Sequence, residues 1–172
     1  MSGSGTGRLA ELRSAFDQSF ALAAEEPADD QERLLAIRIG EDAYALPVGA
    51  ITAIAHAGQI LALPSPMGEF LGLSGLRGDL LPVYSLGALL GYSAPASKPH
   101  WVVQCGDLDR VGLAFDTFEG YLMVPRLELQ APQKESPARE LLSSIVRFNG
   151  VVRVVIDLPS IVKLIRNRIQ GQ

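Results

Sequence analysis

The chain has 172 residues, 48% hydrophobic and 20% charged, which suits one globular domain or two small subdomains sharing a core and excludes disorder over its whole length. Its net charge is −4 with a pI near 5.2, and its basic residues are scattered except near the C-terminus, so no phosphate-tracking stripe forms and nucleic acid is not an expected partner. The single cysteine, Cys105, allows neither an internal disulfide nor a multi-cysteine zinc site. No apolar run approaches the length of a membrane span, and the Gly/Ser-rich start lacks the features of a secretory signal, so the expected compartment is the cytoplasm, without membrane insertion.

Leu9, Leu12, Phe16 and Phe20 recur at helical spacing and predict an amphipathic helix over 8–24, ended by Pro27, Asp29 and Asp30. Residues 1–32 therefore read as a flexible leader, this helix and the acidic linker EEPADDQE. Docking on the body, capping an oligomer and fraying are equally compatible with that pattern. From Leu34 onward, short runs rich in β-branched residues are broken by Gly, Pro or Asp, which predicts a strand-rich body. The expected strands lie near 34–39, 43–47, 51–55, 79–85, 101–105, 110–116, 120–124, 145–149 and 151–157. Pro137 is placed to open a short helix through Leu142, and a second helix is expected from Ser160, as N-cap, to Gln170, with Arg166 and Arg168 near its C-terminus.

Aligning the turns reveals an internal repeat. IRIGEDAYALPVGAITAI at 37–54 and VQCGDLDRVGLAFDTFEGYLMV at 103–124 share a strand, Gly-acidic turn, strand, strand order, and LRGDLLPVYSLGALL at 76–90 matches FNGVVRVVIDLPSIV at 148–162. Two such units, roughly 33–92 and 100–165, are each too small for a comfortable core, so two small β-barrels packed in one body are expected.

Catalytic groups are sparse. His56 and His100 have no second ligand at usable spacing and read as loop or strand-end residues. Ser74 stands in Gly-Leu-Ser-Gly-Leu, where a nucleophile elbow would need glycine at position 76. Asp116 and Asp157 each end an apolar strand, where a carboxylate caps the next turn, and Cys105 reads as a core residue. No phosphate cradle occurs, and Arg77-Gly78-Asp79 reads as a β-turn. What remains is Arg77, a cation held in a tight turn, able to offer a forked donor to a carboxylate or carbonyl of a partner. A binding protein without metal or cofactor is expected; a small hydrolase using Asp116, Asp157 or Ser74 is the enzymatic alternative.

From Leu34 to about Leu164 the chain resembles the CheW-like domain of bacterial chemosensory coupling proteins. LLAIRIGEDAYALPVGAITAI resembles the family's opening strands, GLSGLRGDLLPVYSL its Gly-x-x-Asn-Leu-Arg-Gly-x-x-x-Pro-x-x-Asp-Leu core, and VGLAFDTFEGYLMV its Gly-x-x-Val-Asp segment. The resemblance implies a mainly β domain over 33–172, built as two intertwined five-stranded SH3-like barrels with a C-terminal helix. It implies a non-catalytic scaffold coupling the cytoplasmic tip of a methyl-accepting chemotaxis receptor to the regulatory domain of a CheA-type histidine kinase, in the cytoplasm beneath receptor arrays. The inhibitory counterpart is a competing coupler that blocks kinase activation. The motif carries Arg77, with Leu76 and Gly78, onto the partner-binding site, and the groove strand carries Ile51, Ala53 and Ile54. Gly75 replaces the family's asparagine, Ser85 its aspartate, and Ala53 stands where an acidic residue is common, departures expected to weaken a polar partner surface.

Overall fold

A computed structural model describes residues 30–93, 98–106, 108–132 and 139–171. The predicted helix over 8–24 lies outside the described residues. Among the described residues ten strands form the body: β1 (Gln31–Ile39), β2 (Asp42–Pro47), β3 (Ile51–His56), β4 (Phe70–Leu76), β5 (Asp79–Ser85), β6 (Trp101–Cys105), β7 (Val111–Phe115), β8 (Thr117–Pro125), β9 (Leu142–Phe148) and β10 (Val151–Ile156). A one-turn helix α1 (Leu86–Leu89) follows β5, and the longer α2 (Leu158–Gln170) follows β10.

The strands make two five-stranded sheets, ordered β8-β1-β2-β10-β9 and β3-β6-β7-β5-β4. Each order becomes the other when every strand is shifted by five, so the sequence repeat is a repeat of pairing. Each sheet places a hairpin from one half of the chain between strands of the other half, through parallel β10–β2 and β5–β7 ladders and antiparallel β1–β8 and β3–β6 ladders. The sheets curl, because Leu61, five residues beyond β3, bridges to Leu73 of β4, and Gln130, five residues beyond β8, bridges to Ile145 of β9. Those bridges bring the two edge strands of each sheet toward one another, as barrels require. This is the mainly β, two-barrel architecture expected from the sequence.

The principal core lies between the sheets and draws Leu35 and Ile37 from β1, Tyr84 from β5, Val103 from β6, Leu113 from β7 and Ile156 from β10. Helix α2 adds Leu158, Ile161 and Ile165, each at most 1% exposed, and burying side chains of this size stabilises by about 1.5–3 kcal/mol apiece.

Several local expectations are corrected. β4 was not expected, because FLGLSGL carries two glycines and a serine, which lowers its strand signal. Gly72 is needed there: its φ is +138°, and a Cβ on it would lie 2.0 Å from the carbonyl oxygen of Leu61. Helix α2 begins at Leu158, with Asp157 and not Ser160 as its N-cap; the carboxylate accepts from Ser160 N at 3.2 Å, and Pro159 sits in the first turn where no N–H is needed. Ser85 caps α1 in the same way, accepting from Ala88 N at 3.2 Å, so this serine is buried and structural rather than part of an exposed polar surface. Arg139–Leu141 is a 3-10 turn, and Leu142 already begins β9.

The two hairpin turns, Arg77-Gly78 and Asn149-Gly150, have φ values of 51° and 84°, and 49° and 78°. Positive φ at both central residues marks the type I′ turn, for which Asn-Gly is favoured and arginine is not. At the third position of the strand after each turn the halves diverge. Barrel two, formed by the β3-β6-β7-β5-β4 sheet, buries Leu81 against Ala53 and Leu76, whereas barrel one, formed by the β8-β1-β2-β10-β9 sheet, buries Arg153. The guanidinium of Arg153 donates to Glu119 Oε2 at 2.5 Å and to the carbonyls of Ile37 and Tyr44, while Arg38 Nε reaches Glu119 Oε1 at 2.6 Å. Burial alone would raise the Glu119 carboxyl; the two arginines outweigh it and hold it below the ordinary carboxylate range.

A depressed carboxyl contributes stability that is complete above its unfolded value of about 4.5 and is lost as pH falls through its lower folded value. Denaturant titrations from pH 7 to pH 3 should therefore show a shallower acid dependence for Glu119→Gln than for wild type. At pH 7 that variant should lose about 2 kcal/mol, less than for a fully buried pair because solvent reaches the carboxylate. Arg77→Asn should instead gain about 0.5–1 kcal/mol in the same titration at pH 7, by relieving the left-handed strain.

Candidate functional site

The six residues expected to bind a partner occupy two places. β3 carries Ile51, Ala53 and Ile54, and the β4–β5 hairpin end carries Leu76, Arg77 and Gly78. In a regular strand Ile51 and Ala53 would share a face. A bulge opposes Ile51 to Cys105 and Ala53 to Gln104, leaving Thr52 as the extra residue, so Ile51 and Ile54 both turn toward the inter-sheet core. Ala53 turns instead into barrel two, where it packs with Leu76 and Leu81. Ala53 and Leu76 are thus brought together, 5% and 9% exposed, as the packed support beneath the hairpin end.

At that end Arg77 is exposed and has no ion pair or hydrogen bond with the described residues. Its neighbour Asp79 is paired with Arg110 at 2.7 Å, so Arg77 is the uncompensated charge of the hairpin. Beside it Leu80 is 71% exposed. An exposed leucine and a guanidinium without a partner among the described residues, set on a turn that strains the arginine backbone, present an apolar contact and a forked donor together.

Ile51 belongs to a second feature, an open groove of about 670 Å³ between β3 and α2. Its β3 side includes Ala50 and Ile51, and Cys105 and Val162 add to its apolar lining. Burial pushes the Cys105 thiol up to about 12, so it is an inert floor residue whose S–H points to the carbonyl of Val111 at 3.9 Å. The other side is the face of α2 adjacent to its buried stripe, where Lys163, Arg166, Asn167 and Gln170 follow at helical spacing. Ion pairs from Arg166 to Asp109 and from Arg168 to Glu69 tie the exposed side of α2 to barrel two. This wall was missed in the sequence, although the polar repeat along 163–170 was a visible signal beside the apolar one. The matching place beside α1, lined by Ile39, Gly40, Gly87 and Tyr92, holds only about 120 Å³. There α1 is a single turn, and the Tyr92 hydroxyl is fixed by hydrogen bonds to Asp42 and Tyr44.

Ser74, Asp116 and Asp157, weighed for catalysis, all have structural partners. Ser74 Oγ donates to the carbonyl of Gln59 at 3.3 Å, Asp116 accepts from Gly40 N at 2.9 Å, and Asp157 caps α2. His56 stacks on Trp101 with ring centroids 3.9 Å apart, and His100 is exposed. Among the described residues no group of three His, Cys, Asp or Glu side chains is placed to hold a metal, and no helix is long and apolar enough to cross a membrane.

Comparison with known proteins agrees with this geometry. The chain is 24% identical over 131 residues to the chemotaxis protein CheW of Thermotoga maritima, covering 76% of this chain and 87% of that one. Its fold matches the crystal structure of the scaffolding protein TtCheW from Thermoanaerobacter tengcongensis with a TM-score of 0.66 at 17% identity, covering 77% of this chain and 90% of that one. Residues 33–166, which include both barrels, the hairpin end and most of the groove, match the model of the CheW-like domain, and the chain belongs to that family.

Proposed function

We propose that the protein is a non-catalytic adaptor that couples the cytoplasmic tip of a chemoreceptor to the regulatory domain of a CheA-type histidine kinase, acting in the cytoplasm beneath receptor arrays. The observation that carries this reading is that one intertwined body offers two separate open features, the groove beside α2 and the hairpin end at Arg77. An adaptor has to hold two partners at once, and two features on one body meet that requirement where a single cleft would not. The names of the two related proteins, a chemotaxis protein and a scaffolding protein, support the same direction.

In this reading Arg77 is the polar anchor, Gly78 permits its turn, and Leu76 with Ala53 holds the hairpin in place from below. Ile51 supplies apolar contact in the groove, and Ile54 fixes β3 against the core. The strain at Arg77 is consistent with a residue kept for binding at some loss of stability.

The test is recovery of partners from a lysate of the protein's own source. Wild type should retain a chemoreceptor and a histidine kinase. Arg77→Asp, whose side chain tolerates the left-handed turn, should lose at least one of them while melting at the wild-type temperature or above. Undiminished recovery of both by the variant, or recovery of neither by wild type, would contradict the proposal.

A further inference from the structure

Two ion pairs of the body stand end to end. Arg166, on the groove wall of α2, pairs with Asp109; the next residue, Arg110, pairs with Asp79 at 2.7 Å; and Asp79 follows Arg77 and Gly78 at the end of the β4–β5 hairpin. From the groove to the hairpin end the charges therefore alternate: Arg166, Asp109, Arg110, Asp79, Arg77. All five residues are exposed, and with three cations to two carboxylates one cation is left over. Here it is Arg77, which has no partner among the described residues. The β6–β7 turn holds the middle of the series. Gly106 stands at φ +86°, and a Cβ on it would lie 2.3 Å from the carbonyl oxygen of Asp109, so the chain folds back tightly and keeps Asp109 and Arg110 between α2 and the hairpin. Gly106 also lines the groove, while Asp107 of the same turn lies outside the described residues.

We infer that these five charges form a relay with two pairings, which decides whether the hairpin end or the groove wall presents the free cation. In the pairing seen, Arg166 holds Asp109, Arg110 holds Asp79, and Arg77 is free. In the other, Asp109 turns to Arg110, Asp79 turns to Arg77, and Arg166 is free. Each new pair joins near neighbours in the chain, since Asp109 adjoins Arg110 and only Gly78 separates Arg77 from Asp79, so long arginine side chains reach them by changing rotamer. An acidic group that engages Arg166 draws it from Asp109, and the change passes along the series until Asp79 takes Arg77. An acidic group on Arg77 instead holds the series as it stands, with Arg166 paired. The two ends are thus coupled through a two-state element that each of them biases. Exposed pairs contribute little each, so the bias is a few-fold and both features can still be filled together. The relay needs no partner in order to exist; its use in linking two bound partners rests on the adaptor reading.

The test reads the Arg77 side chain while Arg166 is altered, with no partner present. Arginine Nε–Hε signals of the nitrogen-labelled full chain are recorded by NMR at about 20 mM salt, where screening is weak. The Arg77 signal is identified by its loss in Arg77→Lys. Arg166→Gln removes one end of the series, and the Arg77 proton should then exchange with water about threefold more slowly, as pairing with Asp79 requires. Combining Arg166→Gln with Asp109→Asn should restore the wild-type rate, because the carboxylate that passes the change along is gone. Arg168 pairs with Glu69 outside the series, so Arg168→Gln, which removes the same charge from the same helix, should leave Arg77 unchanged. At about 500 mM salt the effect of Arg166→Gln should shrink. The substituted residues are exposed, and each variant should melt close to wild type. A wild-type exchange rate for Arg77 in Arg166→Gln, or a slowed rate that persists when Asp109 is also replaced, would overturn the relay. Because these spectra involve no partner, the relay and the adaptor reading fail separately.

Discussion

The structure depends on strand exchange between the two halves of the chain. In each sheet the central hairpin, β1–β2 or β6–β7, is completed on both sides by strands of the other half. Backbone groups left unpaired by separating the halves would lose ladder hydrogen bonds on both flanks, and the core residues between the sheets would be exposed together. Neither half therefore has a complete sheet to fold into alone, and the inter-sheet core is common to both. The same exchange builds the groove: β3 comes from the first half of the chain and α2 from the last residues of the second.

On this shared plan the two barrels have diverged, and the divergence falls at the candidate surfaces. One hairpin turns at Asn149-Gly150, the pair the turn favours, and the other at Arg77-Gly78, which carries in its place an exposed cation without an ion pair among the described residues. One barrel is filled by Leu81, Ala53 and Leu76; the other spends its equivalent volume on Arg153 and Glu119. Beside α1 a fixed tyrosine occupies the crevice, whereas beside the longer α2 the groove stays open. Each difference breaks the pseudo-symmetry between the two halves.

Much of the fold was legible because its signals are local. Glycine turns and β-branched runs located nine of the ten strands, and the repeated order of turns anticipated the repeated order of pairing. β4 was hidden by glycines whose purpose is long-range, since Gly72 is small only to admit the backbone of Leu61. The N-cap of α2 was misplaced by three residues because Pro159 reads as a breaker unless it is recognised in a first turn. At the site, the motif arginine was legible, and the bulge that turns Ile51 and Ile54 together was not, since it is specified by pairing with β6. The groove wall was legible as a helix but not as a wall, because what it faces is decided by strand exchange between segments over a hundred residues apart.

The central claim is that one body holds two partners at the same time. The most direct measurement immobilises the kinase regulatory domain and asks whether the receptor fragment is retained with and without the full chain. The account predicts retention only when the chain is present, rising to one receptor segment per chain without loss of chain from the kinase. Displacement of the chain from the kinase by the receptor fragment would contradict it, and would make the protein a competitor for the kinase rather than a bridge to it.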